Sequence, residues 1–230
     1  MEKRKELILN TIIKEHIKTG APVGSGILVD KYKLGISPAT VRNEMAELEE
    51  RGYIRQPHTS AGRIPTEKAY RFYINNLEEK KIKLTDNEQL ALKMSVSQRS
   101  EDGYKQAAKV AAKISENAIF WAFHRRGLYY TGVSNLLSQL EFTHDNLIYD
   151  ISEIIDRMDE IIEENFEKFD VGVHVLLGHD NLFSRHCSSI TVKYKLDGHI
   201  GLVGILGPIR MNYEKNLAIA KFLEKELKQE

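Results

Sequence analysis

Apolar residues recur at helical spacing over residues 3–18, where Leu7, Ile8, Ile12, Ile13 and Ile17 describe one broad face. Gly20, Pro22 and Gly24 break that pattern, and Ser25 is expected to cap a short helix carrying Ile27, Leu28 and Tyr32, ending near Leu34 and Gly35. A third helical period follows at once. Val41, Met45 and Leu48 share its inner face; Ser37 stands at the N-cap and Pro38 at the first helical position, where its missing N–H costs nothing. Gly52 follows the last periodic residue, where a left-handed residue is wanted. The opposite face offers Ala39, Thr40, Asn43 and Ala46, with Arg42 at its flank. YIRQP then reads as a strand, HTSAGRIP as a turn-rich loop, and Thr66 begins a helix whose apolar stripe is Ala69, Tyr70, Tyr73, Ile74 and Leu77. Three closely connected helices, a strand-and-loop wing and a fourth helix predict a winged helix-turn-helix domain over residues 1–80.

Beyond it, KKIKLTDNEQ is a polar connector, Leu90, Leu92, Met94 and Val96 suggest a short helix, and residues 104–118 restart a helix with an alanine-rich face after SQRSEDG. AIFWAFHRRGLYYTGV is aromatic and split by Gly127, which favours strands. Residues 151–169 predict an amphipathic acidic helix, VGVHVLLG alternates like a strand, and two further strands meet at Asp197-Gly198, the best hairpin signal in the chain. Tyr213 to Leu227 closes the chain as a helix with Leu217, Phe222 and Leu223 inward. A hairpin with flanking helices, rather than repeated βαβ units, argues for an α+β fold. The expected organisation is a DNA-binding domain at 1–80, a helical connector at 81–117 available for dimerisation, and an α+β domain at 118–230.

Composition changes this picture little: 42% hydrophobic and 29% charged residues are ordinary for a globular chain of 230 residues. The formal net charge is zero, but its distribution is uneven. Through Lys83, 16 Lys and Arg stand against 11 Asp and Glu, and the remainder holds 17 against 22. A basic front on an acidic back suits a nucleic-acid-binding head on a different kind of body. Cys187 is the single cysteine, so no internal disulfide is expected. No apolar run approaches the roughly 20 residues that span a bilayer, and the N-terminus lacks a signal-peptide core, so a cytoplasmic protein without membrane contact is expected.

Base reading is expected from Ser37, Thr40, Arg42 and Asn43, because Arg pairs bidentately with guanine and Asn with adenine. The plain alternative is a solvated helix surface. Glu44, Glu47, Glu49 and Glu50 are expected to turn the other half of that helix away from phosphates. In the wing, the hydroxyls and N–H groups of His58, Thr59 and Ser60 suit phosphate, Gly62 a close backbone approach, and Arg63 a narrow minor groove. Lys68 and Arg71 fit either backbone contacts or ordinary surface. His174, His179 and His186 follow no zinc-site spacing. Cys187 and His186, adjacent on a strand, point to opposite faces and make no nucleophile pair. Neither a GxGxxG nor a phosphate-binding loop precedes a helix. No cofactor, metal or enzymatic activity is expected.

GAPVGS, then LGISPATVRNEMAELEERGYIRQPHTSAGRIPTEKAYRFY, closely resemble the DNA-binding domain of the HrcA family, the heat-inducible transcription repressors of bacteria. TGVSNLL, VHVLLGHDN and CSSITVKYKLDGHIGLVGILGPIRMNY resemble the closing half of that family's GAF-like domain. Between them, residues 81–127 do not match the pattern, and family members are considerably longer in this middle region, where a dimerising segment is inserted. The resemblance implies a dimeric repressor of chaperone genes that binds an inverted repeat, the CIRCE operator, is released on heat stress, and is kept active with help from the chaperonin. Dimerisation is expected on physical grounds as well. One winged domain buries only about 600–1,000 Å² on DNA, and tethering two heads raises avidity by orders of magnitude. The competing reading is a ligand-responsive regulator or dimerisation scaffold whose DNA binding is weak.

Overall fold

The structure, a computed structural model, describes residues 1–33, 35–139, 152–196 and 198–228. Leu34, Ile151 and Asp197, where three of the expected element ends fall, lie outside the described residues. The chain divides into two compact units, Met1–Leu77 and Glu78–Glu230.

The first unit is built from α1 (Lys3–Thr19), α2 (Ser25–Tyr32), α3 (Pro38–Glu50), β1 (Ile54–Arg55), β2 (Ile64–Pro65) and α4 (Glu67–Asn75). The antiparallel β1–β2 pair forms a short hairpin. Helix α1 packs against α2, α3 and α4. The core is Ile8, Leu9, Ile12 and Ile13 of α1 with Leu28, Val41, Met45, Leu48, Ile54, Ala69, Tyr70 and Tyr73. Two apolar positions depart from expectation. Leu7 and Ile27 are 53% and 44% exposed, because Leu9 and Leu28 take the inward positions of their helices. Ser25 is the first residue of α2 rather than its cap; Gly24 is the cap, its carbonyl accepting the Leu28 N–H at 3.3 Å.

Buried charge ties α1 to its neighbours. Glu44 of α3 is buried between Arg4 (2.5 Å) and Lys5 (3.4 Å), and Lys5 also reaches Glu47 at 3.0 Å. Removing one partner from a buried pair strands the other charge, a larger loss than at an exposed pair. The Lys5–Glu44 contact is an ion pair that ties α1 to α3. Hydrogen bonding to Glu47 and then Glu2 holds the Lys5 ammonium above its ordinary range.

The second unit contains α5 (Asp86–Val96), α6 (Glu101–Ser115), β3 (Ala118–His124), β4 (Gly127–Thr131), α7 (Val133–Gln139), α8 (Met158–Asn165), β5 (Gly172–Leu177), β6 (Cys187–Leu196), β7 (His199–Pro208) and α9 (Tyr213–Leu227). Its five strands form one antiparallel sheet in the order β4-β3-β7-β6-β5. The α+β expectation holds. Strand alternation sorts the two faces. Phe120, Cys187, Leu202 and Leu206 join Leu136 of α7 and Met158 and Ile162 of α8 in one core cluster. On the other face Trp121 stacks on Tyr104 of α6 with ring centroids 5.0 Å apart, and Ser188 meets the Tyr213 hydroxyl of α9 at 2.8 Å. Covered on both faces, β6 and β7 are buried almost throughout.

Here too the sequence pattern needs correction. Leu90 and Met94 of α5 are 58% and 66% exposed, while Leu92 and Val96 are buried. Helix α6 begins at Glu101, three residues early, because Ser100 caps it by accepting the Gly103 N–H at 3.2 Å. The expected long acidic helix is interrupted by a turn at Arg157 and resumes as α8.

Candidate nucleic-acid interface

Helix α3 starts where its cap dictates. Ser37 Oγ accepts the Thr40 N–H at 3.1 Å and lies 2.9 Å from Thr40 Oγ1, so two expected base readers also hold the first turn together. Gly52, two residues past the helix end, takes the left-handed conformation (φ 72°). Thirteen residues at about 1.5 Å each make a rod of roughly 20 Å, enough to lie along a major groove.

Its buried residues are Val41, Glu44, Met45 and Leu48. Among its exposed residues, Ala39, the adjacent Arg42 and Asn43, Ala46 and Glu50 lie three or four residues from one another along the helix and form a continuous stripe, with Pro38 and Glu47 also exposed. Ala39 and Ala46 keep the stripe low, and Arg42 and Asn43 stand up from its middle. Neither Arg42 nor Asn43 has a hydrogen bond or ion pair among the described residues. That sets them apart from their charged neighbours. Arg4, Lys5, Lys31 and Arg63 are all engaged by carboxylates of the same unit.

The hairpin loop lies beyond the C-terminal end of α3. His58, Thr59 and Ser60 are exposed at its tip, with His58 Nδ1 3.3 Å from the Thr59 carbonyl and Ser60 at φ 72°. Gly62 owes its identity to the protein itself. A Cβ there would lie 2.5 Å from the carbonyl carbon of Val23. Arg63 exchanges two backbone hydrogen bonds with Val23, both 2.9 Å, and its Nε donates to Glu49 at 2.8 Å. On α4, Lys68 donates to the Arg51 carbonyl at 2.8 Å and lies 4.6 Å from the centre of the Tyr53 ring. Arg71 is bound by Glu67 at 2.6 and 3.0 Å.

The geometry thus sorts the expected residues into two groups. Ser37, Thr40, Arg42, Asn43, His58, Thr59 and Ser60 present themselves outward. Gly62, Arg63, Lys68 and Arg71 are occupied in holding the hairpin and α4. Sequence reading missed Arg55. It is exposed on β1 and has no partner among the described residues, while its neighbour Ile54 is buried. The alternation of that strand is the signal that could have found it.

No group of three or more His, Cys, Asp or Glu side chains positioned for a metal occurs among the described residues. His174 is held by the Asp170 carbonyl at 2.8 Å, and Cys187 is buried. No helix among the described residues is long and apolar enough to cross a membrane.

Residues 58–217 match the family model described as the HrcA protein C-terminal domain, a span that runs through residues 81–127. The heat-inducible transcription repressor HrcA of Carboxydothermus hydrogenoformans is 29% identical, with 99% of this chain and 97% of that protein covered. That alignment runs over 332 positions against the 230 residues here, so the relative carries a long internal stretch with no counterpart. The HrcA repressor of Desulforamulus reducens is 53% identical over 93 residues, 40% of this chain and 26% of that protein. In fold, the chain is similar to a crystal structure described as that of a hypothetical protein at 2.2 Å resolution, with a TM-score of 0.83, 20% identity, and 99% and 97% of the two chains covered.

Proposed function

We propose, from the premise that this chain belongs to the HrcA family of heat-inducible transcription repressors, that it represses chaperone genes in the cytoplasm by binding an inverted-repeat, CIRCE-type operator as a homodimer. The family is one of transcription repressors, not of enzymes. The observation that carries the reading is the exposed stripe on α3, with Arg42 and Asn43 unengaged between two alanines. In this assignment residues 1–80 are a winged helix-turn-helix head with α3 as the reading helix and the β1–β2 hairpin as the wing. Residues 118–230 form a GAF-like body joined to it by the helical segment 81–117.

The reading helix enters the major groove by its N-terminal half. Arg42 donates two hydrogen bonds to guanine O6 and N7, and Asn43 pairs with adenine N6 and N7. Ser37 and Thr40, at the positive end of the helix dipole, take the flanking phosphate. The exposed loop tip, His58 to Ser60, and Arg55 grip the backbone. The acidic end of α3 is kept from the phosphates. Release on heat follows if the body loses its dimeric fold over the heat-shock range, with the chaperonin acting to restore it.

The test is a gel shift on inverted-repeat DNA at several salt concentrations. Specific binding keeps its preference for the repeat over scrambled DNA as salt rises, whereas purely electrostatic binding collapses. Arg42→Ala is expected to lose about 1–3 kcal/mol of affinity and to relax preference at one operator position. Wild-type binding without sequence preference would favour the scaffold reading, to which the zero net charge lends weight.

A further inference from the structure

Resting on the DNA-reading assignment above, we propose that Glu49 is a positioning residue that fixes the wing loop against the reading helix. Glu49 lies in the last turn of α3, and its carboxylate spans the loop. Oε1 accepts the Gln56 N–H at 2.9 Å, and Oε2 accepts the Arg63 Nε–H at 2.8 Å. Gln56 directly follows β1 and Arg63 directly precedes β2. One side chain therefore ties both ends of the loop to α3.

Three further contacts make the loop a rigid unit. The Gln56 side chain donates to the Ala61 carbonyl at 3.0 Å, and the Ala61 N–H donates to the His58 carbonyl at 3.1 Å. On its far side, Arg63 and Gly62 press against the Val23 backbone. The tip, His58 to Ser60, is exposed and, unlike the exposed Gln56, is not tied to α3.

A carboxylate in this place is unfavourable on two general counts. It faces the negative end of the helix dipole, and it stands on the element that approaches phosphate. The Arg63 guanidinium and the Gln56 amide offset both. A loop held in this way meets DNA already ordered, so the entropy of fixing it is not charged against binding. Arg63 then acts through the protein, as the other half of the clamp, instead of reaching into a groove.

The experiment compares the full chain with Glu49→Ala, Glu49→Gln, Arg63→Ala and the double alanine variant. Three quantities are measured: affinity for inverted-repeat DNA, the slope of that affinity against salt, and hydrogen exchange of the Gln56 amide in the free protein. Glu49→Ala is expected to lower affinity about tenfold and flatten the salt slope, because ordered phosphate contacts are lost. It also deprotects the Gln56 amide. Glu49→Gln keeps one acceptor oxygen and restores that protection without restoring the tie to Arg63. The double variant is no weaker than Glu49→Ala, as two members of one clamp require.

If Glu49→Ala leaves the Gln56 amide as protected as in wild type, the clamp is overturned whatever happens on DNA. If the amide is freed while affinity and slope stay unchanged, the positioning role is overturned. Losses that add in the double variant would place Arg63 on DNA in its own right and also overturn the proposal. A wild-type chain with no preference for the repeat defeats the DNA assignment and the positioning role together, and the exchange measurement then reports on the clamp alone.

Discussion

Glu15 faces the interior of the first unit, 5% exposed, where Lys31 Nζ reaches its two oxygens at 2.6 and 2.7 Å and the Tyr32 hydroxyl donates at 2.7 Å. These three hydrogen bonds, those from Lys31 first, hold its carboxyl below the ordinary carboxylate range. Burial, and then the bond to Glu15, push the Tyr32 hydroxyl up to about 12. A carboxyl with a depressed folded pKa stabilises fully above its unfolded value, near 4.3, and loses that contribution as pH falls through the folded value. Thermal melting between pH 6 and 3 should therefore show acid destabilisation of the wild type that is shallower in Glu15→Gln; equal slopes would remove Glu15 as the cause. None of this is visible in a periodicity. Glu15 and Glu44 occupy helical positions where charge normally faces water, and only partners 16 and 40 residues away bury them. Leu7 shows the reverse case, an apolar residue left outside by its neighbour Leu9.

Helix α3 was legible almost to the residue because its ends are written in local chemistry: Ser37 and Pro38 at one end, Gly52 at the other. The sequence pattern starts α4 at Thr66, and Thr66 stands one residue before the helix as its cap, Thr66 Oγ1 accepting the Ala69 N–H. Helix α5 was found but its inner face was misjudged. Leu90, Leu92, Met94 and Val96 alternate every two residues, so on a helix the pairs Leu90/Met94 and Leu92/Val96 face opposite sides and only one pair, Leu92 and Val96, is buried. In the wing, loop composition predicted the element but not what holds it. Gly62 is expected from the sequence to let DNA approach the backbone, and the Val23 backbone lies where a Cβ at Gly62 would stand. Gly62→Ala puts a methyl against backbone that cannot swing aside. It is expected to cost about 1–3 kcal/mol, read as lost hydrogen-exchange protection across α1–α4. Unchanged protection would mean that the loop lifts from Val23 freely.

At the scale of the molecule, motifs identified the family while the arrangement of strands and the engaged cations came only from the structure. A strand order of β4-β3-β7-β6-β5 places Trp121 of β3 within hydrogen-bond reach of Tyr194, 73 residues away, with indole Nε1 donating to the Tyr194 hydroxyl at 2.8 Å. No short-range pattern records such a pairing. If the proposed homodimer joins two heads, a full inverted repeat should be bound about 10²–10⁴-fold more tightly than a half-site. Titrating both DNAs at equal salt, with the molecular mass measured alongside, checks this; equal affinities would leave each head acting alone. The hydroxyl pair of Ser37 and Thr40 carries a consequence for how such a repressor changes its target. On the proposed reading, substituting either residue disturbs a flanking phosphate contact and loosens the turn that starts α3, and in a homodimer the penalty falls on both heads. If α3 reads DNA as proposed, drift toward a new operator would be steered to Ala39, Arg42, Asn43 and Ala46, whose side chains take no part in capping the helix, and a designer retargeting the protein would begin with those four.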